Sequence, residues 1–140
     1  MKKYAFLLLG LFTTSAIAST DCDRAMPMTK ESVHLVVEAL RLYKRDATYQ
    51  EIGQWRSKTF NPAIERIEAD NSFTPQDMMN PNMELTRLAY NEVVLRSKIY
   101  VNKVFSYARG DATKESVNQQ RTMINDAVGT IYRTCAPQKE

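Results

Sequence analysis

Apolar positions recur at three- and four-residue intervals in every long segment of this chain, and none shows the two-residue alternation of a half-buried strand. The pattern predicts an all-α protein, a small antiparallel bundle of about four to five helices. In "TKESVHLVVEALRLYKR" Thr29 is a good N-cap, and the first helix is expected to run from there to about Arg45. Val36, Val37 and Leu40 share a side with Val33, widened by Leu35 and Leu42, while Glu31, His34, Glu38, Arg41 and Arg45 gather opposite. His34 therefore faces water.

"DATYQEIGQW" opens a second helix, with Thr48 and Glu51 spaced as a capping box. Pro62 interrupts it. "FNPAIERIEA" then restarts with Asn61 as cap, or continues as a kinked helix, since Ile52, Phe60, Ala63 and Ile67 still share a side. After the polar stretch "DNSFTPQDMMNPN" the longest helix extends from about Met83 to Arg109 and closes at Gly110. It carries two apolar stripes. The broad one holds Tyr90, Val93, Val94, Tyr100, Val101, Val104 and Ala108; the narrow one holds Leu85, Leu88, Leu95 and Ile99. Such a helix touches more than one neighbour, either two helices of its own bundle or a partner, including a second copy, on the narrow stripe.

The five letters "TKESV" that open the first helix recur at Thr113 to Val117, again a capping threonine with a glutamate in the first turn. The match ends there, so it is shared helix-start chemistry and not a duplication. On the last helix Val117, Ile124, Val128, Ile131 and Cys135 form one inward seam. An antiparallel last helix brings Cys135 back to Cys22, which predicts a disulfide joining the two ends of the domain. In the chain-entropy picture a loop of this length is worth about 4 to 5 kcal/mol.

The chain opens "MKKYAFLLLGLFTTSAIAST": a basic start, a short apolar run, and Ala16-Ile17-Ala18 in the small-x-small pattern of signal peptidase sites. Residues 1–18 are read as a cleaved secretory signal of bacterial style, and 19–140 as a single helical domain in the periplasm, with no membrane anchor after cleavage. The net charge of +3 includes Lys2 and Lys3, so the mature part carries +1. No face concentrates lysine and arginine among aromatics, which argues against nucleic acid as a partner.

Chemistry tested against this frame yields no catalytic site and no cofactor. A hydrolase triad needs a histidine beside a nucleophile, and the one histidine, His34, sits on a charged face four residues before Glu38. Glu31-x-x-His34 is half of a di-iron motif whose second histidine does not exist here. Haem between His34 and Met123 fails because neither is expected to face the core. Glu65 and Glu68 share a flank as a solvated pair of carboxylates. The chain reads as a non-enzyme.

The methionines are the remaining anomaly, since Met26, Met28, Met78, Met79 and Met83 fall in two short segments, "AMPM" and "DMMNPNM". Thioethers favour Cu(I), which makes a periplasmic methionine-rich copper protein the alternative reading, but no histidine accompanies either cluster and no metal site is assigned. Methionine is also the adaptable residue of binding surfaces. The expected partner surface comprises Phe73, Met78, Met79 and Met83 of the loop, with Leu88, Leu95 and Ile99 of the narrow stripe. In plan, with signal, small bundle and terminal disulfide, the chain is similar to periplasmic immunity and inhibitor proteins that block wall-degrading enzymes. That likeness implies a non-enzymatic protein-binding role.

Overall fold

The computed structural model describes residues 20–70 and 85–136. Helix α1 (Thr20–Lys44) is followed by α2 (Tyr49–Trp55), a single wide turn (Arg56–Phe60) and α3 (Asn61–Asp70), which together form one rod. Then come α4 (Leu85–Ala108) and α5 (Lys114–Thr134). No strand occurs among the described residues, and none of their helices is long and apolar enough to cross a membrane.

The rods alternate in direction, and the side-chain pairs record it. Trp55 Nε1 donates to Glu38 at 3.0 Å and Arg66 pairs with Glu31, so the α2–α3 rod descends along α1. Tyr43 meets Tyr107 edge to face at 5.1 Å while Cys22 lies against Thr86, so α4 runs parallel to α1. Arg96 reaches Met123, and Cys135 returns to Cys22, so α5 is antiparallel to α4. Helix α4 is the centre, packed against α1, α2 and α5.

The first helix starts nine residues before the expected Thr29, and Thr29 is fully buried in its interior. The reason is a seam that hydrophobicity alone does not display. Cys22, Ala25, Thr29, Ser32, Val36, Ala39 and Tyr43 follow one another at alternating three- and four-residue steps, the spacing of a coiled-coil seam, and most of them are small or polar. Thr86, Tyr90, Val93, Ser97, Tyr100, Val104 and Tyr107 repeat the same steps on α4. Small residues on one seam make room for large ones on the other. This contact turns α1 away from the expected orientation: Leu35 and Val36 are buried, but Val33 and Leu40 are half-exposed and Val37 is 37 % exposed.

The helix ends follow local chemistry. Thr48 and Glu51 cap each other reciprocally, as their spacing predicts, and the pairing holds the Glu51 carboxyl below its ordinary value, chiefly through the Thr48 backbone N–H. Pro62 does not break the second rod. The wide turn ahead of it, closed by Asn61 N–H to the Arg56 carbonyl, absorbs the missing donor and the bulk of the ring. Helix α4 ends at Gly110, whose φ of 84° is the left-handed conformation; Gly110 N–H and Asp111 N–H return to the Tyr107 and Ser106 carbonyls. Asp46 serves the same purpose after α1 with φ 53°.

The disulfide Cys22–Cys135 is formed, with Cα atoms 5.6 Å apart and a sequence separation of 113. It ties the start of α1 to the end of α5 beside the start of α4, where Arg87 Nε donates to the nearly buried Asp21 at 3.0 Å.

Candidate functional site

On α4 the broad stripe is core: Tyr90, Val93, Val94, Tyr100, Val101 and Val104 are all buried, filled out by Ala89, Thr86 and Ser97. The narrow stripe is not needed for that packing. Leu85 is 72 %, Leu88 37 % and Leu95 44 % exposed, and Ile99 is half-buried. The four residues line the outer side of the central helix.

Ion pairs rim this strip on both sides. Toward α5, Glu92 accepts from Arg96 Nε at 2.5 Å, and Arg96 Nη1 also reaches the Met123 sulfur at 3.6 Å. Toward α3, Lys98 Nζ donates to Glu68 at 2.8 Å. Each rim charge is thus already held, so the strip offers apolar contact between fixed polar edges, the anatomy of a protein-binding patch. Glu68, one of the two carboxylates on the α3 flank, is paired with Lys98.

The other sequence candidates are dispersed. His34 stands on the outer face of α1, its side chain 67 % exposed, with Nε2 3.3 Å from Glu38. Met26 and Met28 pack against the core from α1, and the Met123 sulfur accepts from Arg96 Nη1. Among the described residues no group of three or more histidine, cysteine, aspartate or glutamate side chains could hold a metal ion. Phe73, Met78, Met79 and Met83 lie outside the described residues.

A second feature escaped the sequence reading. A groove of about 310 Å³ runs between α1 and α5, walled by Val33, Val37 and Leu40 on one side and Ile124 and Val128 on the other, with Tyr100 as its floor and Arg121 at its rim. Its α1 wall is made of the residues expected to face inward. The signal available was the width of that apolar face, which is broader than one neighbouring helix covers.

No family model, characterised protein or solved structure matches this chain. The class defined by fold and site is a disulfide-closed four-rod helical bundle with an uncovered apolar strip on its central helix.

Proposed function

We propose that this chain is an exported, non-enzymatic binding protein of the bacterial periplasm that holds a protein partner on the outer side of α4, acting as an inhibitor or immunity protein against a cell-wall-acting enzyme. The observation that carries the reading is the exposure of Leu85, Leu88 and Leu95 on the most central helix of the bundle, between ion pairs that are already satisfied. Leucines spend no packing energy there, and a run of them on one helix face is the form in which a helix meets a groove on a partner. The secretory pattern of residues 1–18 and the single bridge support the compartment, where oxidised cysteines persist.

Replacing Leu88 and Leu95 together with serine tests the strip. Neither side chain is buried, so helicity and melting are expected to stay within a few degrees of wild type. Capture of the partner from periplasmic extract, followed by titration with the purified partner, should show affinity reduced about 30-fold or more, the effect of losing one hot spot. Undiminished affinity would remove the strip from the interface. The purified protein is also expected to slow a wall-degrading hydrolase in a cell-wall turbidity assay; a captured partner of another kind would discard the inhibitor class while keeping the strip. Sedimentation that shows a dimer dissolved by the same substitutions would assign the strip to a second copy.

A further inference from the structure

At the end of the bundle opposite the disulfide, an open cavity of about 380 Å³ lies between the turn from α1 to α2 and the turn from α4 to α5. The fully buried Ile52 and Val104 give it apolar surface, and the half-buried Tyr43 and Tyr107, edge to face at 5.1 Å, give it an aromatic wall. Asp46 is the one charged residue lining it. The carboxylate is exposed and has neither an ion pair nor a hydrogen bond among the described residues. The cations of the two turns are already held, Arg45 by Glu51 at 3.0 Å and Arg109 by Asp111 at 3.2 Å, and Lys44 at the end of α1 is not on the wall. The remaining polar groups do not balance Asp46. The Thr48 hydroxyl is spent on Glu51, and the N–H groups of Asp46, Ala47, Thr48 and Gly110 are spent on Tyr43, Leu42, Glu51 and Tyr107, which leaves the neutral Ala112 amide as the open donor of the two turns on this wall. Tyrosine hydroxyls give and accept alike, so the sign of the site is set by Asp46.

We propose that this cavity binds a small organic ammonium ion, its charged head against Asp46 and the rings of Tyr43 and Tyr107 and its apolar body over Ile52 and Val104. The head follows from the combination on the wall: aromatic faces attract a cation through the ring quadrupole, and an open carboxylate supplies the opposite charge. The size follows from the volume, since about 380 Å³ is at the lower end of the roughly 300–1,000 Å³ typical of small-molecule sites and admits a body of about one ring. The position of the carboxylate is itself unusual. Asp46 has φ 53° just after α1, where glycine is the ordinary solution. Asparagine also suits that conformation, so the charge of Asp46 can be removed without disturbing the turn. The site shares no residue with the leucine strip of α4, so it stands or falls independently of the proposed partner surface.

Phenethylamine, an ammonium ion at neutral pH, is the probe. Titrated into the oxidised protein by calorimetry, it should bind saturably at one site; 2-phenylethanol, which keeps the ring and loses the charge, should bind about fivefold or more weakly, and 3-phenylpropionate should not bind. Asp46→Asn should weaken phenethylamine by a similar factor, leave 2-phenylethanol unchanged and melt within a few degrees of wild type. Added salt should narrow the gap between amine and alcohol, because the carboxylate is open to water. Methyl resonances of Ala47, Ile52, Val104 and Ala108 should shift on titration, which locates the ligand without any substitution. Equal affinity for amine and alcohol, an unshifted set of these methyls, or wild-type affinity in a folded Asp46→Asn would overturn the proposal. So would a lysine-containing tripeptide that binds more tightly than phenethylamine, because the cavity would then receive a side chain of a polypeptide and not a free amine.

Discussion

The same five residues begin "TKESV" at Thr29 and at Thr113, and the fold uses them in opposite ways. Thr113 is an N-cap in extended conformation, φ −95° and ψ 158°; its hydroxyl accepts from Ser116 N–H at 3.1 Å while Ser116 Oγ donates to the Thr113 carbonyl at 2.8 Å. Thr29 lies in the interior of α1, fully buried, and both its hydroxyl and that of Ser32 lack a partner among the described residues. The local signal is identical, so the difference comes from what precedes it. Before Thr113 the chain leaves a left-handed glycine and a short loop; before Thr29 it is anchored by a disulfide to the far end of α5. A cap motif is an offer the backbone takes only when nothing upstream holds the helix open.

The bridge is therefore the first place to break the comparison. Changing Cys22 and Cys135 to serine releases the segment from Thr20 to Met28, and Thr29 should then become the N-cap that Thr113 already is. The expected cost is about 4 to 5 kcal/mol in the chain-entropy picture, a fall in melting temperature of more than about 10 °C for a domain of this size. Circular dichroism should also lose the helical signal of that segment, and hydrogen exchange should show its amides opening while those after Val33 stay protected. If residues 20–28 remained helical and protected without the bridge, the seam packing, and not the disulfide, would be what overrides the cap.

Pro27 makes a second, smaller test. It sits inside α1, where it offers no N–H to the Asp23 carbonyl and its ring crowds that group. Pro27→Ala in the oxidised protein should stabilise by up to about 3 kcal/mol. In the bridge-free variant the same change should stabilise far less if the segment has left the helix, and the difference between the two backgrounds measures their coupling. Equal effects in both backgrounds would mean that the segment is helical either way.

Much of this architecture was legible because it rests on signals that hydrophobicity and caps carry. The Thr48–Glu51 capping box, the glycine stop at Gly110, the buried stripe from Tyr90 to Val104 and the Cys22–Cys135 pairing all follow from single residues with one dominant conformational or chemical preference. The seam of α1 is not legible for a physical reason: Ala25, Thr29, Ser32 and Ala39 bury little apolar surface each, so their three-four rhythm is faint beside Val33, Val37 and Leu40, and the larger side chains set the expected orientation of the helix. The same rotation leaves the groove open, because it exposes Val33, Val37 and Leu40, whose size marks them in the sequence for the core. The leucine strip was legible as a second period on α4, but its exposure depends on the broad stripe alone sufficing for three neighbours, which only the packing reveals.

The smallest effects give the sharpest contrast, because they ask for opposite signs from the same residue type. Thr113→Ala removes a hydroxyl that satisfies an otherwise unpaired N–H of α5 and should cost about 1 kcal/mol. Thr29→Val keeps the branched shape in the seam and removes a buried hydroxyl that bonds nothing. Because desolvating such a group is already a cost to the folded state, the substitution should be neutral or stabilise by up to about 1 kcal/mol. Equilibrium denaturation of the two variants beside wild type reads both signs in one series, provided the slopes agree so that only stability has changed. A loss in Thr29→Val comparable to that in Thr113→Ala would show that the Thr29 hydroxyl has a partner in solution, either the carbonyl one turn back or a buried water. The first copy of the motif would then be doing hydrogen-bond work inside the helix rather than filling space between α1 and α4.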